Sequence, residues 1–148
     1  MNKRIFLLED DAGAAIITDV LEIKFGYSVD RARNIVDMIW FLEDNQTEYL
    51  AILLDIAVDG DEFIDNKGNN RQFNDPEGMN GLEYYRQERE RTLAPYEGRI
   101  GFYSAWTQRL KNRADREEIP IEGCMLFDKN NSNMISQLAN WLKELENE

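Results

Sequence analysis

Two unbroken apolar runs, each stopped by an acid, constrain this chain more than any other feature. Ile5-Phe6-Leu7-Leu8 ends at Glu9-Asp10-Asp11, and Leu50-Ala51-Ile52-Leu53-Leu54 ends at Asp55. A run with no polar side chain on either face fits a strand covered on both sides, as in a parallel sheet. Between the runs the period changes. Ile16, Ile17, Val20, Leu21 and Phe25 recur at helical spacing, and Gly26 closes that helix. Tyr27 to Ala32 reads as a short strand, and Ile35, Val36, Ile39, Trp40 and Leu42 repeat the helical period. Further on, Leu82 to Thr92 and Trp106 to Glu118 read as helices, and Arg99 to Ser104 and Cys124 to Phe127 as strands. Met134, Ile135, Leu138, Trp141, Leu142 and Leu145 form the apolar stripe of a C-terminal helix. Five strand–helix units in order predict an α/β fold, a doubly wound five-stranded parallel sheet with helices on both faces. At 148 residues, with no repeat and no low-complexity linker, one domain over 1–148 is the expectation.

The alternation breaks from Val58 to Asn80. Asp65-Asn66-Lys67-Gly68-Asn69-Asn70 is turn chemistry between Phe63-Ile64 and Phe73, which predicts a small hairpin ended by Pro76 and Gly78. Its polar, Gly/Asn-rich composition predicts a peripheral element outside the core. Asp59, Asp61, Glu62, Asp65 and Asp75 lie close together in the chain. Their spacing fails the EF-hand pattern, so a solvated hairpin facing a partner is the better reading than a calcium site. Trp40, Trp141 and Cys124 are expected in the core. Arg109, Lys111, Arg113 and Arg116 are expected on a solvated helix face.

Composition removes whole classes of function. With 17 Lys+Arg against 29 Asp+Glu the net charge is −12, which argues against nucleic acid and against a polybasic membrane contact. No apolar run is long enough to span a bilayer, and the N-terminal run is too short for a signal peptide. A single Cys cannot form a disulfide within the chain, which fits a reducing cytoplasm. The absence of His excludes Ser-His-Asp and Cys-His sites, the common zinc sites and a phosphohistidine on this chain. Chemistry is left to carboxylates, hydroxyls, Lys and a hard metal.

In a doubly wound sheet, ligands bind beyond the carboxyl ends of the strands. Here those ends carry Glu9-Asp10, Asp55, Ser104-Ala105 and Lys129. Three converging carboxylates repel unless a cation sits among them. Oxygen-only ligation suits Mg²⁺ or Mn²⁺, and a Lys and a hydroxyl beside it make a place for a phosphoryl group.

With those residues in that order, the chain resembles the response-regulator receiver domain of two-component signalling. The acidic pair is Glu9 and Asp10, the acceptor lies in Leu53-Leu54-Asp55, and Pro76-Glu77-Gly78-Met79-Asn80-Gly81-Leu82-Glu83 is similar to the family's loop into the third helix. Ser104-Ala105 and Lys129 match the remaining motifs. The resemblance implies a flavodoxin-like receiver fold, stand-alone because no output domain follows Glu148. It also implies phosphoryl transfer onto Asp55 from a phosphohistidine on a sensor histidine kinase or histidine phosphotransfer protein, with an unknown protein downstream. By the same resemblance Mg²⁺ (or Mn²⁺) is held by Glu9, Asp10, Asp55 and the backbone carbonyl of Ala57. Ser104, Ala105 and Lys129 contact the phosphoryl group, and Trp106 and Ala57 flank it and modulate its lifetime. Such a domain catalyses only its own transfer and slow autodephosphorylation, so no enzyme of the usual kind is expected.

The chain departs from the family in three places. Gly81 lies farther from the acceptor than the family's loop Gly, implying an insertion over approximately 58–75. Asn130 replaces the Pro after the Lys, and Leu126 replaces the aromatic switch residue. These leave open an alternative, a pseudo-receiver that acts as an interaction module without phosphate. An aspartyl phosphatase of the haloacid-dehalogenase type needs a second Asp where Ala57 stands.

Overall fold

The computed structural model describes residues 2–11, 14–45 and 47–148. Five strands, β1 (Arg4–Leu8), β2 (Ser28–Ala32), β3 (Ala51–Leu54), β6 (Ile100–Ser104) and β7 (Met125–Asp128), form one parallel sheet in the order β2-β1-β3-β6-β7. A separate antiparallel hairpin, β4 (Asp61–Ile64) and β5 (Asn70–Phe73), lies between β3 and the third helix. The helices are α1 (Ala14–Asp19), α2 (Ile35–Ile39), α3 (Asn80–Glu88), α4 (Thr107–Arg116) and α5 (Met134–Glu146). The first two continue as wider π-helical stretches, Val20–Lys24 and Trp40–Asp44.

Alternation along the strands builds two cores. Phe6, Leu8, Ile52, Leu54 and Phe102 face one way and pack with α2, α3 and α4. Ile5, Leu7, Ala51, Leu53, Tyr103 and Phe127 face the other way, against α1 and α5. That is the doubly wound arrangement, and β3 and β1 from Ile5 onward, fully covered on both faces, are the two solid apolar runs of the sequence. Local chemistry sets the helix ends. The Asn34 side chain accepts the Asp37 amide at the start of α2. Gly26, at φ +76°, makes the left-handed turn after α1.

Several sequence expectations are corrected. Trp40 is not core: it is 51% exposed, and Val36 is also exposed. The face of α2 that packs inward is Ile35, Met38, Ile39 and Leu42, at true helical spacing, which leaves Val36 and Trp40 on the flank. Likewise Ile17 and Leu21 are buried while Ile16 and Ile23 face solvent. Trp141 is buried against Phe127. Cys124 is half-buried, its thiol 3.5 Å from the Tyr85 hydroxyl. The α3 helix begins at Asn80, two residues before the apolar period does.

The larger correction concerns the hairpin, which is not peripheral. Phe73 is fully buried in the α2/α3/α4 core, its ring 5.9 Å from that of Tyr84. Arg71, one face-repeat away on β5, is buried and donates to Glu43 at 2.9 and 3.3 Å. The Tyr84 hydroxyl donates to the same carboxylate at 2.8 Å. Burial alone would lower the Arg71 pKa, but Glu43 and Glu88 outweigh it and hold the guanidinium charged. Two acids of this segment have fixed partners. Asp65 accepts the Lys67 and Asn69 amides across the turn, and Asp75 is bound by Arg113.

Arg113 is also not part of a solvated face. It is 5% exposed, donating to Asp75 Oδ2 at 2.6 Å and to Glu117, with its second terminal nitrogen 2.5 Å from Asp75 Oδ1 as an ion pair.

Candidate functional site

Strand register alone brings the loaded residues to one edge. Leu8 pairs with Leu54 and Leu54 with Phe102, so Glu9 and Asp55 leave their strands at the same level. The Asp55 amide donates to the Leu8 carbonyl at 3.0 Å. Ser104 pairs with Asp128, and the Lys129 amide donates to the Ser104 carbonyl at 2.9 Å. The result is a cavity of about 190 Å³ lined by Glu9, Asp10, Asp11, Asp55, Ala57, Ser104, Ala105, Trp106 and Lys129. Every residue singled out in the sequence as a site residue lies on its wall.

Each side chain has a defined setting. Glu9 and Asp55 are buried, 1% and 3% exposed, while Asp10 is open to solvent. The Lys129 ammonium bridges the first two, 2.8 Å from Asp55 Oδ2 and in direct contact with Glu9 Oε2. The other Asp55 oxygen accepts the Ala57 amide at 3.0 Å, and Glu9 Oε1 accepts the Asp11 amide at 3.0 Å. Both carboxylates are therefore held at two points. The Ser104 oxygen accepts the Trp106 amide at 2.9 Å, which leaves its hydroxyl hydrogen available to donate.

The electrostatics follow from burial and crowding. Desolvation pushes the Glu9 carboxyl up to about 7; the bond to Lys129 opposes that and nearby Asp55 adds to it. Asp10 is raised as well, by partial burial first and by the charge of Asp55 second. Burial alone would lower Lys129, but its bonds to Asp55 and Glu9 win and its pKa is raised. The site thus holds more negative charge than its one lysine balances.

Two site-shaping residues were not evident in the sequence. Arg31, on β2, donates to the carbonyls of Glu9 and Asp11 at 3.0 and 2.6 Å and props the acidic loop from the side. Tyr103 presents its ring to the Lys129 ammonium at 4.6 Å. A charged residue within a short strand was the signal for the first; nothing in the sequence marks the second.

A divalent cation fits the donor set. One oxygen each from Glu9, Asp10 and Asp55 lies within 4.8 Å of the others, and this is the one such group found among the described residues. All-oxygen, strongly anionic donors suit Mg²⁺ or Mn²⁺.

No protein-family model matches the sequence, and a search of the curated proteins finds no match. Solved structures do match. A response regulator receiver domain protein from Methanospirillum hungatei is 17% identical, with a TM-score of 0.63, over 99% of this chain and 98% of that one. A response regulator from Thermotoga maritima, solved in complex with Mg²⁺ and BeF, is 16% identical with a TM-score of 0.56, over 97% and 98% of the two chains. A phosphorylated cyanobacterial phytochrome response regulator is 19% identical with a TM-score of 0.56, over 99% and 92%. No described helix is long and apolar enough to cross a membrane. Sheet order, helix placement and near-complete coverage agree: the chain has the fold of response-regulator receiver domains.

Proposed function

We propose that residues 1–148 form one phospho-accepting receiver domain that takes a phosphoryl group from a phosphohistidine of a separate kinase or phosphotransfer protein onto Asp55. The observation that carries this reading is the lysine bridge: Lys129 holds Asp55 and Glu9 together in a small polar cavity beside a buried hydroxyl. Two of the similar structures, one with Mg²⁺ and BeF and one phosphorylated, support it.

The chemistry is a displacement at phosphorus. An Asp55 carboxylate oxygen forms the new P–O bond as the P–N bond to the donor imidazole breaks, and the imidazole leaves with the bonding pair and takes a proton. Asp55 is positioned for this by the Ala57 amide and Lys129, which fix its two oxygens. The Lys129 ammonium pairs with a phosphoryl oxygen, and the free Ser104 hydroxyl hydrogen donates to another. A Mg²⁺ or Mn²⁺ ion held by Glu9, Asp10, Asp55 and the Ala57 carbonyl would offset the phosphoryl charge.

Incubation with phosphoramidate and Mg²⁺ is expected to add one phosphoryl group by intact mass, with none added in EDTA and none to Asp55→Asn. Equal labelling of Asp55→Asn would overturn the acceptor assignment. A wild type that is never labelled would favour the phosphate-independent interaction module.

The lifetime of the product depends on which groups can hold a water in line. Ala57 offers no polar side chain, and Trp106, half-buried, walls the cavity with its indole under the Arg109 guanidinium at 4.3 Å. Slow dephosphorylation follows, suited to holding a signal or passing it back. Trp106→Ala is expected to shorten the half-life about tenfold, the effect of ~1.4 kcal/mol on the barrier. Decay of the variant at the wild-type rate, after donor removal, would leave Trp106 as a packing residue only.

A further inference from the structure

The backbone just beyond Asp55 is held by one buried amide side chain. Asn80, the first residue of α3, is 3% exposed. Its Nδ2 donates to the Val58 carbonyl at 2.9 Å, and its Oδ1 accepts the Asp75 amide at 2.9 Å. The next residue, Gly81, donates its amide to the Ile56 carbonyl at 3.1 Å. There is no room for a side chain at Gly81: a Cβ there would lie 2.0 Å from the Asp55 carbonyl oxygen. The carbonyls on either side of Ala57 are therefore both tied to the start of α3, and the Ala57 peptide is suspended between them. The Ala57 carbonyl itself accepts no hydrogen bond among the described residues.

We infer that Asn80 is a positioning residue for cation binding: by fixing Val58 it holds the Ala57 carbonyl toward the ion, and through Asp75 it makes that placement depend on the inserted hairpin. The inference rests on the reading of the chain as a cation-dependent receiver. Asn suits the position because one planar amide both donates and accepts. The same group closes the hairpin's exit at Asp75 and fixes the loop's entry at Val58. An aliphatic residue leaves the buried Val58 carbonyl and the part-buried Asp75 amide unpaired and frees the loop, and loss of such an outer support typically costs about 10–100-fold in metal affinity.

The test is Mg²⁺ binding by titration calorimetry on the full chain, beside thermal unfolding without the ion. Asn80→Ala is expected to weaken Mg²⁺ at least about tenfold. Asn80→Ser, too short to span both partners, is the second variant should the first fail to fold, and the same loss is expected. Leu145→Ala, a core truncation on the opposite face of the sheet, is expected to lower the melting temperature with Mg²⁺ affinity unchanged. That control separates positioning from general destabilisation. If wild type binds Mg²⁺ and the folded Asn80 variants bind it equally well, the role of Asn80 is overturned while the receiver reading stands. If wild type does not bind Mg²⁺, both fall.

Discussion

Arg113→Met is expected to destabilise the protein by about 3–5 kcal/mol, because it leaves Asp75 buried and charged without its cation. The pair is 6% and 2% exposed at its side chains and is joined by one hydrogen bond and a second close ion-pair contact, so solvent screening discounts little of that. Asp75 is also committed elsewhere: its Oδ2 accepts the Glu77 and Met79 amides at 3.0 and 2.9 Å. Adding Asp75→Asn to the Met variant is therefore expected to recover much of the loss, since a neutral amide oxygen still accepts those two donors. Urea unfolding of the four proteins in this cycle is the measurement, and equal stability of wild type and Arg113→Met would show the pair to be dispensable.

The pH dependence has a definite sign. Burial by itself would raise the Asp75 carboxyl, but Arg113 and the Met79 and Glu77 amides outweigh it and hold it below the usual carboxylate range. A depressed folded pKa gives stability that is present above the unfolded value and lost as pH falls through the folded one. In Arg113→Met the same carboxyl is buried without its cation and its pKa rises. The gap between the two proteins is expected to be full near neutrality, to narrow through the acid range and to be smallest below Asp75's lowered pKa.

Phe73→Ala is the second large effect, about 3–5 kcal/mol for truncating a fully buried aromatic. For a chain of this size that lowers the melting temperature by on the order of 10 °C. Replacing 59–75 by a short Gly-Ser link is expected to do at least as much harm, because it removes Phe73 together with the Arg71–Glu43 pair. The link would leave Glu43, 8% exposed at its side chain, and Glu88, 3% exposed, without the arginine between them. A linked variant that melts with wild-type cooperativity and midpoint would return the hairpin to the periphery.

These two residues show where the sequence is silent. Solid runs such as Phe6–Leu8 and Ala51–Leu54 announce themselves, because a strand covered on both faces admits no polar residue. The acids that stop them, with Ser104 and Lys129, then follow from the rule that parallel strands deliver their ends to one edge. Arg71-Gln72-Phe73 carries the alternation of a half-buried strand, but its inward positions pair an arginine with an aromatic, and hydropathy scores the arginine as surface. The burial of Arg71 depends on Glu43, 28 positions away, and that of Arg113 on Asp75, 38 positions away. Ionic burial of this kind is a property of the pair, and one residue of it reads like any other charge. Trp40 failed for a different reason: it lies one position outside the buried i, i+3, i+4, i+7 set of α2, too fine a distinction for an apolar stripe to resolve.

The pairing of β1, β3, β6 and β7 also explains where this chain could lengthen. Asp55 is level with Glu9 because β3 is already paired with β1, and Ser104 and Lys129 find their heights by pairing in turn with β3 and β6. None of those alignments counts the residues between Leu54 and Ile100. Extra chain entering at Val58 therefore leaves the four levels unchanged, however long it is. A single residue added inside β3 would instead exchange its two faces, sending Leu53 where Leu54 belongs and carrying the acceptor away from its lysine. Length is free to drift beyond Val58 and is fixed on the strand side of Asp55, and the short stretch between them is pinned by the start of α3.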